Sequence, residues 1–118
     1  MENATLIGTD LSNSYLGYAN LKYSALSNAN LTDADISRAI VNHANLTNAI
    51  LIDASFVDSE LKNADLTGAD LTSANLAFAD LTDATLVAAN LTNVRWSNTI
   101  CPDGTYSDHN GNTCANNT

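Results

Sequence analysis

The sequence predicts an all-β solenoid of square cross-section, about five coils of four five-residue units, closed by a C-terminal loop cap. Three observations predict it. A large apolar residue recurs at every fifth position from Leu6 to Trp96 without a slip, a small residue precedes nearly every one by two positions, and the chain beyond Trp96 becomes turn-rich and carries two cysteines. Five is the period of neither regular backbone. On an α-helix each step of five turns about 140°, so Leu66, Leu71, Leu76 and Leu81 would scatter around the cylinder. On a flat strand the side-chain period is two, so successive leucines would fall on opposite faces.

The repeat has nineteen large centres, fifteen of them leucine, with Ile36, Val41, Phe56 and Trp96 completing the set. Two positions earlier stands alanine fourteen times, the exceptions being Thr9, Ser14, Ser24, Ser59 and Val94. That spacing puts small and large residues on one side of an extended segment, and the remaining three residues must turn the chain. If each corner turns by about a right angle, four units close a coil, and coils stack at the ~4.8 Å strand spacing. Residue n then lies under residue n+20, so Leu16, Ile36, Phe56, Leu76 and Trp96 form one interior column. Four leucines already fill a coil's cross-section, so anything larger than alanine beside them would overpack. Val94 and Trp96 break the size rule together at the last unit, where atypical repeats are expected.

Composition excludes several classes of function. The 118 residues suit one domain, and the 45% apolar content is nearly all alanine and leucine with only 6% aromatic, the profile of a repeat protein. A formal charge of -9 repels nucleic acid and anionic membranes and attracts basic partner surfaces. Direct nucleic-acid binding is therefore not expected. No apolar run approaches the ~20 residues that span a bilayer, so membrane insertion is not expected either. The start "MENATLIGTD" lacks signal-peptide features, which predicts a cytoplasmic protein. A removed signal would place it in a periplasm or thylakoid lumen instead.

The outward positions carry motifs that the repeat itself generates. Asp10, Asn20, Asn30, Asp35, Asn45, Asp65, Asp70, Asn75, Asp80 and Asn90 stand just before their centres and could be read as carboxylate ladders. Short polar side chains that bond neighbouring backbone explain them better, since acid-base chemistry needs differently tuned carboxylates in a pocket. The sequons at Asn30, Asn45 and Asn90 follow from the same pattern. His43 lies at a corner between Tyr23 and Asn63 in this register, with no nucleophile or carboxylate set to orient it. Glu60 and Asp80 share an outer column near Asp83, and read as a solvated acidic face rather than a cation site. No catalytic, cofactor-binding or metal-binding residues are expected.

In the tail, Pro102-Asp103-Gly104 and Asn110-Gly111 are turn signals. Cys101 and Cys114 enclose a loop across which a disulfide would contribute about 3 kcal/mol. A metal site of these cysteines with His109 and an aspartate lacks paired-ligand spacing, and free thiols in a cytosol are a third reading.

The units "ADLTG", "ADLTS", "ANLAF" and "ADLTD" resemble the pentapeptide-repeat family, whose pattern is A-(D/N)-L-x-x. The resemblance covers about residues 4 to 98 and is of the cyanobacterial type, in which similar C-P-D-G-T-x-S tails follow the repeats, supporting a cap. It implies a right-handed quadrilateral β-helix over residues 1–98 with a cap over 99–118, and implies no catalytic residue.

Two outward departures from polarity are candidate partner surfaces. Ile50 and Ile52 flank the inward Leu51, with Val57 on the next face, and Tyr15, Tyr18 and Tyr23 gather near one corner above Arg38. The first coil, with little chain before it, predicts a homodimer through the N-terminal coil face. The functional expectation is a non-enzymatic interaction or scaffold solenoid with an unidentified protein partner. The alternative is a DNA-mimic modulator of a type II topoisomerase, a role that some relatives fill with acidic walls. Those relatives typically dimerise through C-terminal elements and often carry projecting loops, which this sequence lacks. An enzyme would need a pocket that a leucine-filled interior does not leave.

Overall fold

In this computed structural model, which describes residues 1–115, each unit folds for a local reason. After every centre the chain makes a tight turn in which the N–H three residues on donates back to the centre's carbonyl, as from Ala69 to Leu66 at 3.0 Å. The third residue of that turn takes positive φ at all nineteen corners from Gly8 to Asn98. Asparagine, aspartate and glycine reach this region most readily, and they fill most corners. At Gly68 the glycine is doubly required, because φ is +68° and a Cβ would stand 2.4 Å from Asn48 Oδ1.

Only the residue before each centre joins a ladder, in parallel bridges at intervals of twenty residues. Four columns result, and they define four walls. The first runs Thr5, Ala25, Asn45, Asp65, Thr85; the second Asp10, Asn30, Ile50, Asp70, Asn90; the third Tyr15, Asp35, Ser55, Asn75, Arg95; and the fourth Asn20, Ile40, Glu60, Asp80, Ile100. In a typical coil the amides of the centre and the corner donate up the axis, as from Leu66 to Thr85 at 2.8 Å and from Gly68 to Val87 at 2.9 Å. One donates down, from Asp65 to Ala44 at 3.0 Å. The walls are thus ladders of single bridges with a corner on either side, which is why no two-residue alternation shows in the sequence.

The interior is filled by apolar side chains. Centres from Leu21 to Leu86 are buried, with Phe56 among the largest side chains wholly enclosed. Serine substitutes for inward alanine by bonding its own turn: Ser24 and Ser59 donate to the carbonyls of Leu21 and Phe56, each at 2.6 Å.

The coil does not stop at residue 98. Ile100 bridges Asp80, the amides of Leu81 and Asp83 donate to Ile100 and Pro102, and Cys101 is completely buried over Leu81. Thr99 fills the small inward position and donates its hydroxyl to Leu76 O at 2.8 Å. The chain then doubles back, pairing Tyr106 with Ile100 antiparallel, and a short 3-10 helix, Ser107–Asn110, lies on the last coil. Cys101 and Cys114 are joined as a disulfide with their Cα atoms 5.2 Å apart. Residues 116–118 of the expected cap lie outside the described residues. The molecule measures 35 × 23 × 22 Å.

Candidate interaction surfaces

The Asx positions are occupied by the fold. In each of the ten named above, Oδ1 accepts the backbone N–H two residues on, at 3.0 to 3.1 Å. Where serine or threonine follows the centre, its hydroxyl usually donates to the same oxygen, as from Thr67 to Asp65 at 2.6 Å. The hydroxyl and N–H of Ser12 hold Asp10 below the usual carboxylate range, and those of Ser37 do the same for Asp35. These bonds account for the residue types without invoking chemistry.

The other polar candidates are also engaged. Lys62 Nζ lies 3.2 Å from Asp80 Oδ2, and Asn42 donates to Glu60 at 2.8 Å. Burial pushes the Asp80 carboxyl up, but the hydroxyl and N–H of Thr82, with Lys62, bring it below its ordinary value. Asp80 in turn raises Lys62. His43 stacks on Tyr23 with ring centroids 4.9 Å apart. Among the described residues no group of three or more His, Cys, Asp or Glu side chains could hold a metal ion.

The six candidate partner residues fall into three places. Tyr15, Tyr18 and Val57 line one open depression of about 380 Å³ on the third wall, with Gly17, Asp35, Ser37, Arg38 and Asp58. Tyr15 and Tyr18 are 74% and 65% exposed. Gly17 leaves room for the Tyr15 ring, which a Cβ would approach to 3.0 Å. Arg38 donates to the Tyr18 hydroxyl and sits 3.6 Å from Asp58 Oδ2, and the Tyr18 contact followed by Asp58 raises its pKa. Tyr23 is not part of this depression; its contacts are His43 and the Lys22 ammonium, 5.0 Å from its ring. Ile50, 40% exposed, and the half-buried Ile52 stand on the second wall, apart from Val57.

Sequence singles out Tyr18 and Arg38 but not Phe78, which shares their corner column. Between the third and fourth walls, Tyr18, Arg38 and Phe78 take φ of 62°, 58° and 61°, and Phe78 is 55% exposed. Left-handed backbone costs a bulky residue roughly 1 to 2 kcal/mol, which asparagine or glycine largely avoids. The signal was available in the sequence as a phenylalanine at a position filled mostly by asparagine, aspartate and glycine. On the second wall the Asx-to-hydroxyl pairs at Asp10, Asn30, Asp70 and Asn90 are interrupted once, at Ile50 and Ile52. That unit forgoes hydrogen bonds worth about 0.5 to 1.5 kcal/mol each.

The sequence pattern of the family Pentapeptide repeats matches residues 1–33, 29–68, 49–86 and 59–98, in eight copies. The chain belongs to the pentapeptide-repeat family. Solved structures agree. The pentapeptide-repeat protein Rfr23 from the cyanobacterium Cyanothece 51142 is 38% identical with a TM-score of 0.72 over 73% of this chain. This chain spans 58% of the length of that relative. A pentapeptide-repeat protein from the Arabidopsis thaliana thylakoid lumen is 28% identical, with a TM-score of 0.83 over 86% of this chain and 71% of its own. QnrB1, a plasmid-mediated fluoroquinolone resistance protein, shares the fold at 21% identity and a TM-score of 0.52, covering 82% of this chain and 57% of its own. Among curated proteins none matches. The pentapeptide-repeat protein is accordingly a right-handed quadrilateral β-helix, and no helix in its described residues is long and apolar enough to cross a membrane.

Proposed function

We propose that this pentapeptide-repeat protein is a non-enzymatic interaction module whose partner docks on the tyrosine-arginine corner of the third wall. The observation that carries the reading is the placement of Tyr18 and Arg38 at positive-φ corner positions on the depression that Tyr15 and Val57 also line, with the exposed Phe78 further along the same corner column. Tyrosine and arginine are the residues that interfaces favour. Tyr18→Asn with Phe78→Asn puts a residue suited to positive φ at both corners, so the fold is retained. In affinity capture from the source cells, the wild type is expected to retain a stoichiometric partner that this variant loses. Recovery of no specific protein by the wild type, or equal recovery by both, would overturn the assignment.

Charge density counts against the DNA-mimic reading. A duplex 35 Å long, matching the long dimension of this molecule, carries about 20 phosphate charges. The thirteen acidic residues here are spread over four walls and the cap, and Arg38 and Lys62 offset Asp58 and Asp80. Topoisomerase inhibition is correspondingly the weaker reading.

A further inference from the structure

The four walls differ in charge. The second wall and its leading corner carry Asp10, Asp33, Asp53 and Asp70 and no lysine or arginine. The third and fourth walls hold all four cations, Arg38 and Arg95 on one and Lys22 and Lys62 on the other, and the first has Asp65 as its single charge. In the middle of the one-sign wall, both outward positions of a single unit are isoleucine. Ile50 sits between Asn30 below and Asp70 above, and Ile52 is followed directly by Asp53. Asp33 lies one coil beneath Asp53 on the same corner, its amide bonded to Ile52 O at 3.0 Å. Stacked corner positions are about 4.8 Å apart along the axis, which places two like charges on neighbouring coils. On the next corner the equivalent stacking sets Asp58 against Arg38. No side-chain hydrogen bond or ion pair engages Asp33 or Asp53 among the described residues.

We infer that the second wall is a docking face for a polypeptide segment carrying apolar side chains between arginines or lysines. This rests on the reading of the protein as an interaction module, and adds a second face with its own partner chemistry. The apolar pair supplies the contact that excludes water, while the surrounding carboxylates, uncompensated in the free protein, gain attraction when a basic segment arrives. A second copy of this chain does not fit, because no wall of it is basic. Nucleic acid is excluded by the same charge. The wall's backbone is committed to its own ladder, so recognition runs through side chains and not through strand addition.

The test uses two fluorescein-labelled peptides of equal positive charge at physiological salt, one alternating arginine with leucine and the other arginine with serine. Ile50→Asn with Ile52→Thr restores the usual Asx-threonine pair and removes the apolar contact without endangering the fold. Asp33→Asn with Asp53→Asn removes the charges while keeping residues suited to positive φ. By fluorescence anisotropy, the wild type is expected to bind the leucine peptide about tenfold more tightly than the serine peptide. The isoleucine variant should lose that preference, and the aspartate variant should weaken both peptides by a similar factor. Asp83→Asn on the fourth wall should change little. Absence of binding, or variants of the second wall that bind as the wild type does, would overturn the proposal. Both results leave the tyrosine corner untouched, since its capture experiment alters different residues.

Discussion

The first coil and the last are built from one five-residue unit, yet they meet solvent differently. At the first coil Leu6, Leu11 and Leu16 are only half-buried, and the Ser14 hydroxyl is enclosed without a hydrogen-bond partner. At the last coil Thr99 and Ser107 are fully buried and bonded, Trp96 is covered, and the disulfide closes over the interior. The ladder's polarity adds to the contrast. Two amides per unit point up the axis and one points down, so the upper edge is rich in donors and the lower edge in acceptors. The cap answers with acceptors: Asp108 Oδ1 takes the Asn98 N–H at 2.8 Å, and Thr105 O takes that of Cys101 at 2.7 Å. A solenoid coil is stabilised by its neighbours, and an end coil must find a replacement for the one it lacks. A second copy against the first coil would cover its leucines. It would also bring two acceptor-rich edges together, so backbone pairing would not drive that association.

The largest expected effect contrasts the middle of the stack with its start. Leu66→Ala, in a fully enclosed position, should cost about 2 to 5 kcal/mol in urea unfolding, and Leu6→Ala only a fraction of that. Equal losses would mean that the first coil is as tightly packed as the interior. Opening the disulfide, by reductant or by Cys114→Ser, should cost about 3 kcal/mol. Hydrogen exchange should then quicken at Thr99, Cys101 and Ser107 while the amides between Leu6 and Leu26 stay as they were. Uniform quickening would show that cap and first coil unfold as one.

The smallest effect is on acid stability. Asp10, Asp35 and Asp80 lie below their ordinary pKa in the folded protein, so between the folded and unfolded values the unfolded chain binds more protons. Their contribution is complete above about pH 4 and is lost as pH falls through the lowered folded values. Asp80→Asn keeps the acceptor for Thr82 and should flatten the fall in Tm below pH 4 slightly. An unchanged acid limb would assign the loss to the other two carboxylates.

Much of this architecture was legible in the chain. The register of five, the stacking of n on n+20 and the structural use of the Asx residues all follow from residue sizes and short polar side chains, which act within one unit. Cys101 is not legible as a centre, because a cysteine in a turn-rich tail reads as a bridging residue and not as a small apolar one. The sequence pattern sets Val57 beside the isoleucines, whereas the structure joins it to Tyr15 and Tyr18 and sets Tyr23 apart.

The sequence alone determined the coil, since a pattern repeated nineteen times leaves one way to bury its leucines. Only the tertiary structure decided which outward side chains meet, such as Arg38 with Asp58, and which have no side-chain partner among the described residues, such as Asp33 and Asp53. Burial is dictated by a period that every unit shares. Surface contact depends on side-chain directions at corners twenty residues apart, and no local pattern fixes those.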